Sequence, residues 1–259
     1  FSWHAFLSTY LPALILALGT GIALPAIPTL AVSFGVSFGV ASTVVTAFLI
    51  GNLAGTIPSG WLIDRFGRRP VLIAGPLLSA AMAFLVTISD SFPELVILRF
   101  FNGCAAQMWL MARLAAISHG TSAGQRGRKV SWMFGMDSVG KLSGPVIGGF
   151  LAASFSTRAP FALYAVLALI SLIPTLLYAE NTPPRPRGHS GGVLRVLTWR
   201  EIIVPRLPYF AVALFAGLTR GPVYADLLHL YAAFEYQLGP QAIGYLATAA
   251  SIISLPIRS

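Results

Sequence analysis

The chain has 259 residues, of which 56% are hydrophobic and 10% are charged, and its formal net charge is +9. Water-soluble globular domains carry about 25% charged residues, so this composition argues against a soluble enzyme and favours a protein that lies in lipid. The single cysteine, Cys104, excludes an internal disulfide.

Apolar segments long enough to cross a bilayer follow one another along the chain. A membrane helix needs about 20 mostly apolar residues. The sequence predicts seven such spans and part of an eighth, at residues 5–30, 40–62, 71–89, 95–117, 130–155, 160–179, 207–230 and 243–257. We therefore expect an all-α, polytopic membrane protein.

The charges of the loops predict which side of the membrane each loop faces. The loops after spans two, four and six carry eleven cations, whereas those on the opposite side carry one, Arg158. Cytoplasmic loops are enriched in Lys and Arg, so we expect the first set to face the cytoplasm from the inner (plasma) membrane. Topology thus accounts for the basic excess, and no nucleic-acid partner is expected. The eleven cations are Arg65, Arg68, Arg69, Arg126, Arg128, Lys129, Arg185, Arg187, Arg195, Arg200 and Arg206.

The loop between spans two and three has the pattern G-x-L-x-D-R-x-G-R-R. Gly67 suits a turn, and Pro70 suits the first turn of the next helix. Asp64 lies near the C-terminal end of its own helix, where the helix dipole disfavours an anion, which indicates another role. The pattern resembles motif A of the major facilitator superfamily of secondary transporters. Its members here are Gly60, Asp64, Arg65, Gly67, Arg68 and Arg69.

The resemblance implies that this loop is a conformational switch. In it, Asp64 docks against a helix of the other half and stabilises one state of the transport cycle. The alternative is a solvated basic loop with no role beyond topology.

Span four contains Arg99 in the sequence R-F-F-N-G, which resembles motif B of the same superfamily with Asn in place of Gln. An arginine in the bilayer costs about 2.5–3.5 kcal/mol on insertion scales, so it should face the interior or a partner. The resemblance links Arg99 to proton coupling. The alternative is an arginine near the outer end of its helix that reaches the headgroups.

Span five has glycines every four residues, which line one helical face and allow another helix to approach closely. The segment resembles motif C, G-x-x-x-G-P-x-x-G-G, associated with the proton-linked antiporter branches, and so favours export. A generic packing stripe of small residues is the alternative. The motif residues are Gly140, Gly144, Pro145, Gly148 and Gly149.

Asp137 and Lys141 lie four residues apart on span five and so share a face. Arg113 lies near the cytoplasmic end of span four, which runs in the opposite direction. We expect these three residues to form a charge network that lines the central cavity, with Asp137 as the proton-exchanging carboxylate. The alternative is a permanently ionised structural pair.

A linker divides the chain after span six. Residues 180–192 contain three prolines and three glycines, which prevent a helix, and residues 193–204 could form an amphipathic surface helix. We expect a six-helix half at 1–179, a cytoplasmic linker at 180–206 and the truncated start of a second half at 207–259. A weak repeat between residues 34–40 and 238–244 supports two related halves.

Span seven contains Arg220 before a Gly-Pro pair, and then Asp226. A helix broken at that depth belongs in a protein-lined cavity, so Arg220 is a candidate contact for an anionic substrate group. Asp226 is a second candidate for the proton site, with a position at the outer surface as the alternative. The predicted first span has no acid, unlike many drug-proton antiporters of the superfamily. The four histidines lack metal-ligand spacing, so no metal is expected.

The resemblance implies a secondary active transporter that exports small, partly apolar molecules by proton-coupled alternating access. No cofactor is expected, because no phosphate-binding loop is present and the proton gradient supplies the energy. The expected partners are a small-molecule substrate, protons and the bilayer, and the full-length protein is expected to act as a monomer. The alternatives are an uptake symporter for a sugar or organic metabolite, and a non-transporting membrane sensor or assembly protein with the same fold.

Overall fold

The computed structural model describes residues 6–118, 123–178 and 227–254. These residues form ten α-helices and no strand, as the all-α prediction expects. A π-helical turn, Phe6–Tyr10, leads into the first helix. The helices are α1 (Leu11–Ala23), α2 (Ala26–Ser33), α3 (Phe38–Ala41), α4 (Thr43–Phe66), α5 (Arg68–Ile88), α6 (Phe92–Ser118), α7 (Ala123–Ser154), α8 (Ala159–Tyr178), α9 (Leu228–Glu235) and α10 (Pro240–Ser254).

Five helical segments of the described chain have the length and composition to cross a membrane. They match the first four predicted spans and the sixth. The segments are Leu11–Ser33, Phe38–Phe66, Arg68–Ile88, Phe92–Ser118 and Ala159–Tyr178. The first is interrupted between α1 and α2, because Pro25 has no backbone N–H with which to continue the helical hydrogen bonds.

The fifth predicted span differs from the structure at its start. The prediction began it at residue 130, but α7 begins at Ala123 and runs for 32 residues. Its first turns are polar, so the apolar run from which the span was predicted covers only part of the helix. Although α7 is long enough, it is not among the five segments, since Asp137, Lys141 and its glycines make it less apolar.

The later elements are described only in part. The predicted seventh span, 207–230, lies outside the described residues up to 226, and its last residues begin α9. The predicted eighth span corresponds to α10, which begins three residues before the predicted start. The linker 180–206 and its surface helix lie outside the described residues, so the domain boundaries remain predictions.

The helices pack closely where glycine replaces a side chain. A Cβ on Gly51 of α4 would overlap the carbonyl of Phe100 in α6, and a Cβ on Gly103 of α6 would overlap the carbonyl of Phe48 in α4. The two backbones therefore interlock over this stretch. A larger core, which includes Leu16, Trp109 and Phe161, joins the other helices of this bundle.

Helix α9 packs on α2 and α3. Its Leu230 is fully buried in a cluster with Ala31 and Ala41. The ring of Phe38 lies 6.0 Å from that of Tyr231 and 5.8 Å from that of Phe234, both edge to face. Residues from both sides of the predicted linker thus share one apolar cluster.

Candidate functional site

The turn between α4 and α5 has the geometry that its sequence predicts. Gly67 has φ +85°, a conformation that other residues rarely adopt. Pro70 lies in the first turn of α5. The turn thereby brings Arg68 and Arg69 back against the bundle.

These arginines bind the ends of neighbouring helices. Arg68 donates to the carbonyl of Ala115 at 3.1 Å in the last turn of α6, and Arg69 donates to that of Leu176 at 2.9 Å in the last turn of α8. Arg126 donates to the carbonyl of Ser118 at 3.2 Å. The last carbonyls of a helix have no partner within it, and cations near them are favourable.

The other predicted residues of this turn are accessible. Asp64 and Arg65 are exposed, and Gly60 has open space where a Cβ would lie. The guanidinium of Arg65 lies 5.3 Å from the ring centroid of Trp61. Asp64 forms no ion pair with any described residue, so its docking to a helix of the other half remains a prediction.

The glycine face of α7 packs against α1, as the four-residue spacing predicts for some neighbouring helix. A Cβ on Gly140 would lie 2.7 Å from the backbone nitrogen of Leu18, and one on Gly144 would lie 2.6 Å from the carbonyl carbon of Gly21. Gly148 meets the backbone of Ile22 still more closely. These distances leave no room for a side chain, so the face depends on glycine.

The remaining residues of the motif contact α10 instead. A Cβ on Gly149 would lie 2.6 Å from the carbonyl oxygen of Pro240, and one on Gly244 would overlap that of Pro145. Thr248 donates from its hydroxyl to the carbonyl of Leu142 at 3.3 Å. One motif therefore joins α7 to two helices, α1 on one side and α10 on the other.

A buried ion pair joins α6 to α7. Arg113 donates from Nη1 and Nη2 to the two carboxylate oxygens of Asp137, each at 2.9 Å. The side chains are 4% and 14% exposed. The guanidinium also lies 5.1 Å from the ring centroid of Trp109. Such a two-pronged pair holds the carboxylate in one orientation.

Of the predicted three-residue network, the structure shows the pair of Arg113 and Asp137 but no ion pair of Lys141 with a described residue. Both oxygens of Asp137 accept from Arg113, and no ion pair joins Lys141 to any described residue. The fork of an arginine matches a carboxylate better than a single ammonium does. Lys141 is exposed.

Arg99 lies inside the bundle, which excludes the alternative in which it reaches the headgroups. It is 8% exposed, and its guanidinium lies 4.5 Å from the ring centroid of Phe48. Its Nη1 donates to Oδ1 of Asn102 at 3.4 Å, and Nδ2 of Asn102 donates to the hydroxyl of Tyr164 at 3.4 Å. This polar chain runs from α6 to α8. The two predicted charges of span seven, Arg220 and Asp226, lie outside the described residues.

Sequence reasoning missed the aromatic partners of the two buried arginines. Trp109 lies four residues before Arg113 on the same helix, so this stacking could have been found from spacing alone. Phe48 and Tyr164 lie far from Arg99 in sequence, and no local pattern predicts those contacts. No group of three or more metal-ligating side chains occurs among the described residues.

Comparison with known proteins places these features in one family. The model of the Major Facilitator Superfamily matches residues 10–259. The chain is 23% identical over 249 residues to the quinolone resistance protein NorA of Staphylococcus aureus, covering 94% of this chain and 62% of that protein. It is 30% identical over 209 residues to multidrug resistance protein 1 of Bacillus subtilis, covering 78% of this chain and 54% of that protein.

Solved structures share the fold. A D-xylose-proton symporter superposes with a TM-score of 0.69 at 20% identity, covering 98% of this chain and 66% of that one. The POT family transporter PepTSo superposes with a TM-score of 0.64 at 16% identity, covering 98% of this chain and 55% of that one. The chain therefore spans about half to two thirds of the length of the proteins it matches. The family is one of transporters rather than enzymes, and the apolar helices are those of an integral membrane protein. On the family match and the shared fold together, this chain belongs to the major facilitator superfamily.

Proposed function

We propose that the full-length protein exports small, partly apolar molecules by proton-coupled alternating access. The direction of transport is supported by two matches. Over 94% of its length, this chain aligns at 23% identity with a protein named for quinolone resistance, and it is also similar to one named for multidrug resistance. The coupling is supported by one observation above all, the buried pair of Arg113 and Asp137. Ionisable groups inside a membrane bundle commonly mark ion and substrate pathways.

Asp137 is the proton-exchanging carboxylate of this mechanism. When it is ionised, it accepts two hydrogen bonds from Arg113 and bridges α6 to α7. A proton on Asp137 cancels its charge and leaves the guanidinium without its counter-ion, so the bridge between the two helices weakens. Proton binding then changes how α6 and α7 are held, which is the link that an exchanger needs. The predicted first span, which has no acid, cannot supply this carboxylate.

The other predicted residues take supporting roles. Asp64 and its turn switch between two states of the cycle, with the turn and the linker facing the cytoplasm. Arg99 assists proton movement through its polar contact with Asn102. Arg220 and Asp226 line the cavity from the second half, which begins after the linker.

The test uses inside-out vesicles that contain the full-length protein and have an acidified lumen. Cationic, zwitterionic and neutral drugs are added outside, and a fluorescent weak base reports the lumenal pH. Export predicts a drug-evoked loss of the gradient that Asp137→Asn abolishes. Asp90→Asn is the matched control, because Asp90 is 90% exposed on the opposite loop and should leave the response unchanged.

Two results would contradict the proposal. If no drug evokes a response but metabolites do when the gradient is reversed, the protein is an uptake symporter. If Asp137→Asn leaves the drug response and its pH dependence intact, Asp137 is a structural residue and the coupling site lies elsewhere.

A further inference from the structure

Lys141 occupies an unusual position on α7, which its neighbours define on both sides. At about 100° per residue, Gly144 lies about 60° to one side of Lys141 and Pro145 lies about 40° to the other. Gly144 packs on α1, and Pro145 packs on Gly244 of α10. Lys141 therefore faces the gap between α1 and α10.

An exposed apolar stripe of α7 lies on the side opposite Lys141. Trp132 and Phe150 are nine residues before and after Lys141, which places them about 180° away around the helix. They are 47% and 55% exposed, and Val139, on the same side, is 54% exposed. An apolar stripe of this kind is suited to lipid, whereas Lys141 lies on the other side of the helix.

The backbone around Lys141 is nevertheless enclosed. A Cβ on Gly21 of α1 would lie 3.2 Å from the Cα of Lys141, and Thr248 of α10 donates to the carbonyl of the next residue, Leu142. The side chain of Lys141 is exposed although its helix is packed on both flanks. Among the described residues, it therefore projects into the space that α1 and α10 leave between them.

The ammonium lies too deep to reach water at either end of the predicted span. Lys141 lies 11 residues after the predicted start of the span at residue 130 and 13 residues before the end of α7, or about 17 Å and 20 Å along the axis. A lysine side chain spans only part of either distance. Charges at such depth mostly face the interior of a bundle or a water-filled cavity, where they mark ligand pathways.

We propose that Lys141 is the anion-binding residue of the transport cavity and that the preferred substrates are apolar molecules with a carboxylate. This inference rests on the proposed transport function and names the substrate class of the same cavity. The nearest acid on α7, Asp137, has both oxygens occupied by Arg113 and leaves the ammonium to a ligand.

The site would also favour the loaded carrier during the cycle. An ammonium sealed in a closing cavity loses its water, at a cost that a paired carboxylate offsets. The loaded cavity can then close at a lower cost than the empty one. The charge of the substrate thus favours the closed state through which the cavity changes the side of the membrane to which it opens.

The test measures binding by the purified full-length protein in lipid nanodiscs, using fluorescence anisotropy. The probes are tetramethylrhodamine with a free carboxylate and its methyl ester, which share the same aromatic body with its delocalised positive charge and differ only in the carboxylate. The wild type should bind the carboxylate more tightly. Lys141→Met should weaken that binding about tenfold, or ~1.4 kcal/mol, and leave the ester unchanged or improved. Lys141→Arg should keep the preference.

Other outcomes overturn the inference. If the wild type binds the ester as tightly as the carboxylate, or does not bind the carboxylate, the cavity has no anion site. If Lys141→Met weakens the binding of both dyes equally, Lys141 has a structural partner, such as a carboxylate of the second half. If the wild type shows the carboxylate preference but no proton-driven export, the proposed coupling is refuted and this site stands.

Discussion

Removing one partner of the Arg113–Asp137 pair should destabilise the bundle, whereas removing both should not. Asp137→Leu leaves a guanidinium that is 4% exposed without its counter-ion. Two charge-assisted hydrogen bonds of 2.9 Å are lost, at about 1.5–3 kcal/mol each. The total of about 3–6 kcal/mol agrees with the ~3–5 kcal/mol typical of breaking a buried pair from one side.

The double variant Arg113→Met with Asp137→Leu removes both charges and retains most of the volume. Burying two ions is costly in itself, so apolar replacement of a buried pair is commonly neutral or stabilising, by about 1–4 kcal/mol. We therefore expect the free energy of unfolding of the double variant to lie within about 1 kcal/mol of the wild-type value or above it. Its proton-linked transport should be lost, because the exchanging carboxylate is gone.

The assay is reversible denaturant unfolding of the full-length protein in mixed micelles, followed by far-UV circular dichroism. Asp90→Leu is the control, because its carboxylate is 90% exposed and should contribute little. A double variant as unstable as Asp137→Leu would refute the reasoning. So would a cost of less than about 1 kcal/mol for the single variant, since the buried arginine would then have another way to be stabilised.

Three further predictions concern the packing and the helix ends. Gly148→Ala should lower the stability by about 1–3 kcal/mol, because the added methyl group would overlap the backbone of α1. Gly135→Ala on the same helix is the control, since a Cβ there meets open space, and it should be neutral or stabilising by up to ~1 kcal/mol. Thermal unfolding measures both changes. Gly67→Ala should cost about 1–3 kcal/mol, because Gly67 combines φ +85° with ψ 176°, a conformation essentially restricted to glycine, and an unchanged Tm would contradict this. Arg158→Met should lower the stability by about 1 kcal/mol, because two carbonyls at the end of α5 lose their hydrogen-bond donor. Asp90→Asn removes only the exposed ion pair with Arg158 and should cost at most ~0.5 kcal/mol. Equal costs would show that the ion pair matters more than the carbonyls.

The helices could be predicted from the sequence wherever lipid contact demands long apolar runs. That is why the first four spans and the sixth agree with the structure. The same signal fails where a helix leaves the membrane, as at the polar start of α7, because hydropathy reports the surroundings of a segment rather than its backbone. Hydropathy also does not predict the interruption at Pro25, since a proline in a membrane span does not end the apolar run.

The candidate site was predictable only within single helices. The spacing of Gly140, Gly144 and Gly148 predicts a close-packed face, but not that the neighbour is α1, because the choice of partner depends on the whole fold. The spacing of Asp137 and Lys141 likewise places them on one face. What the spacing does not predict is that Arg113, from another helix, occupies both carboxylate oxygens of Asp137.

The arginines at the helix ends bear on how a membrane protein's orientation is inferred from charge. Arg68, Arg69 and Arg126 each hold a terminal carbonyl of a helix, and each also contributes to the count of basic residues on one side. Their presence has a reason in the folded bundle that is independent of insertion. A charge-reversal experiment designed to invert the protein in the membrane should spare these three and replace exposed Arg128. Otherwise it would uncap helices and confuse misfolding with inverted insertion.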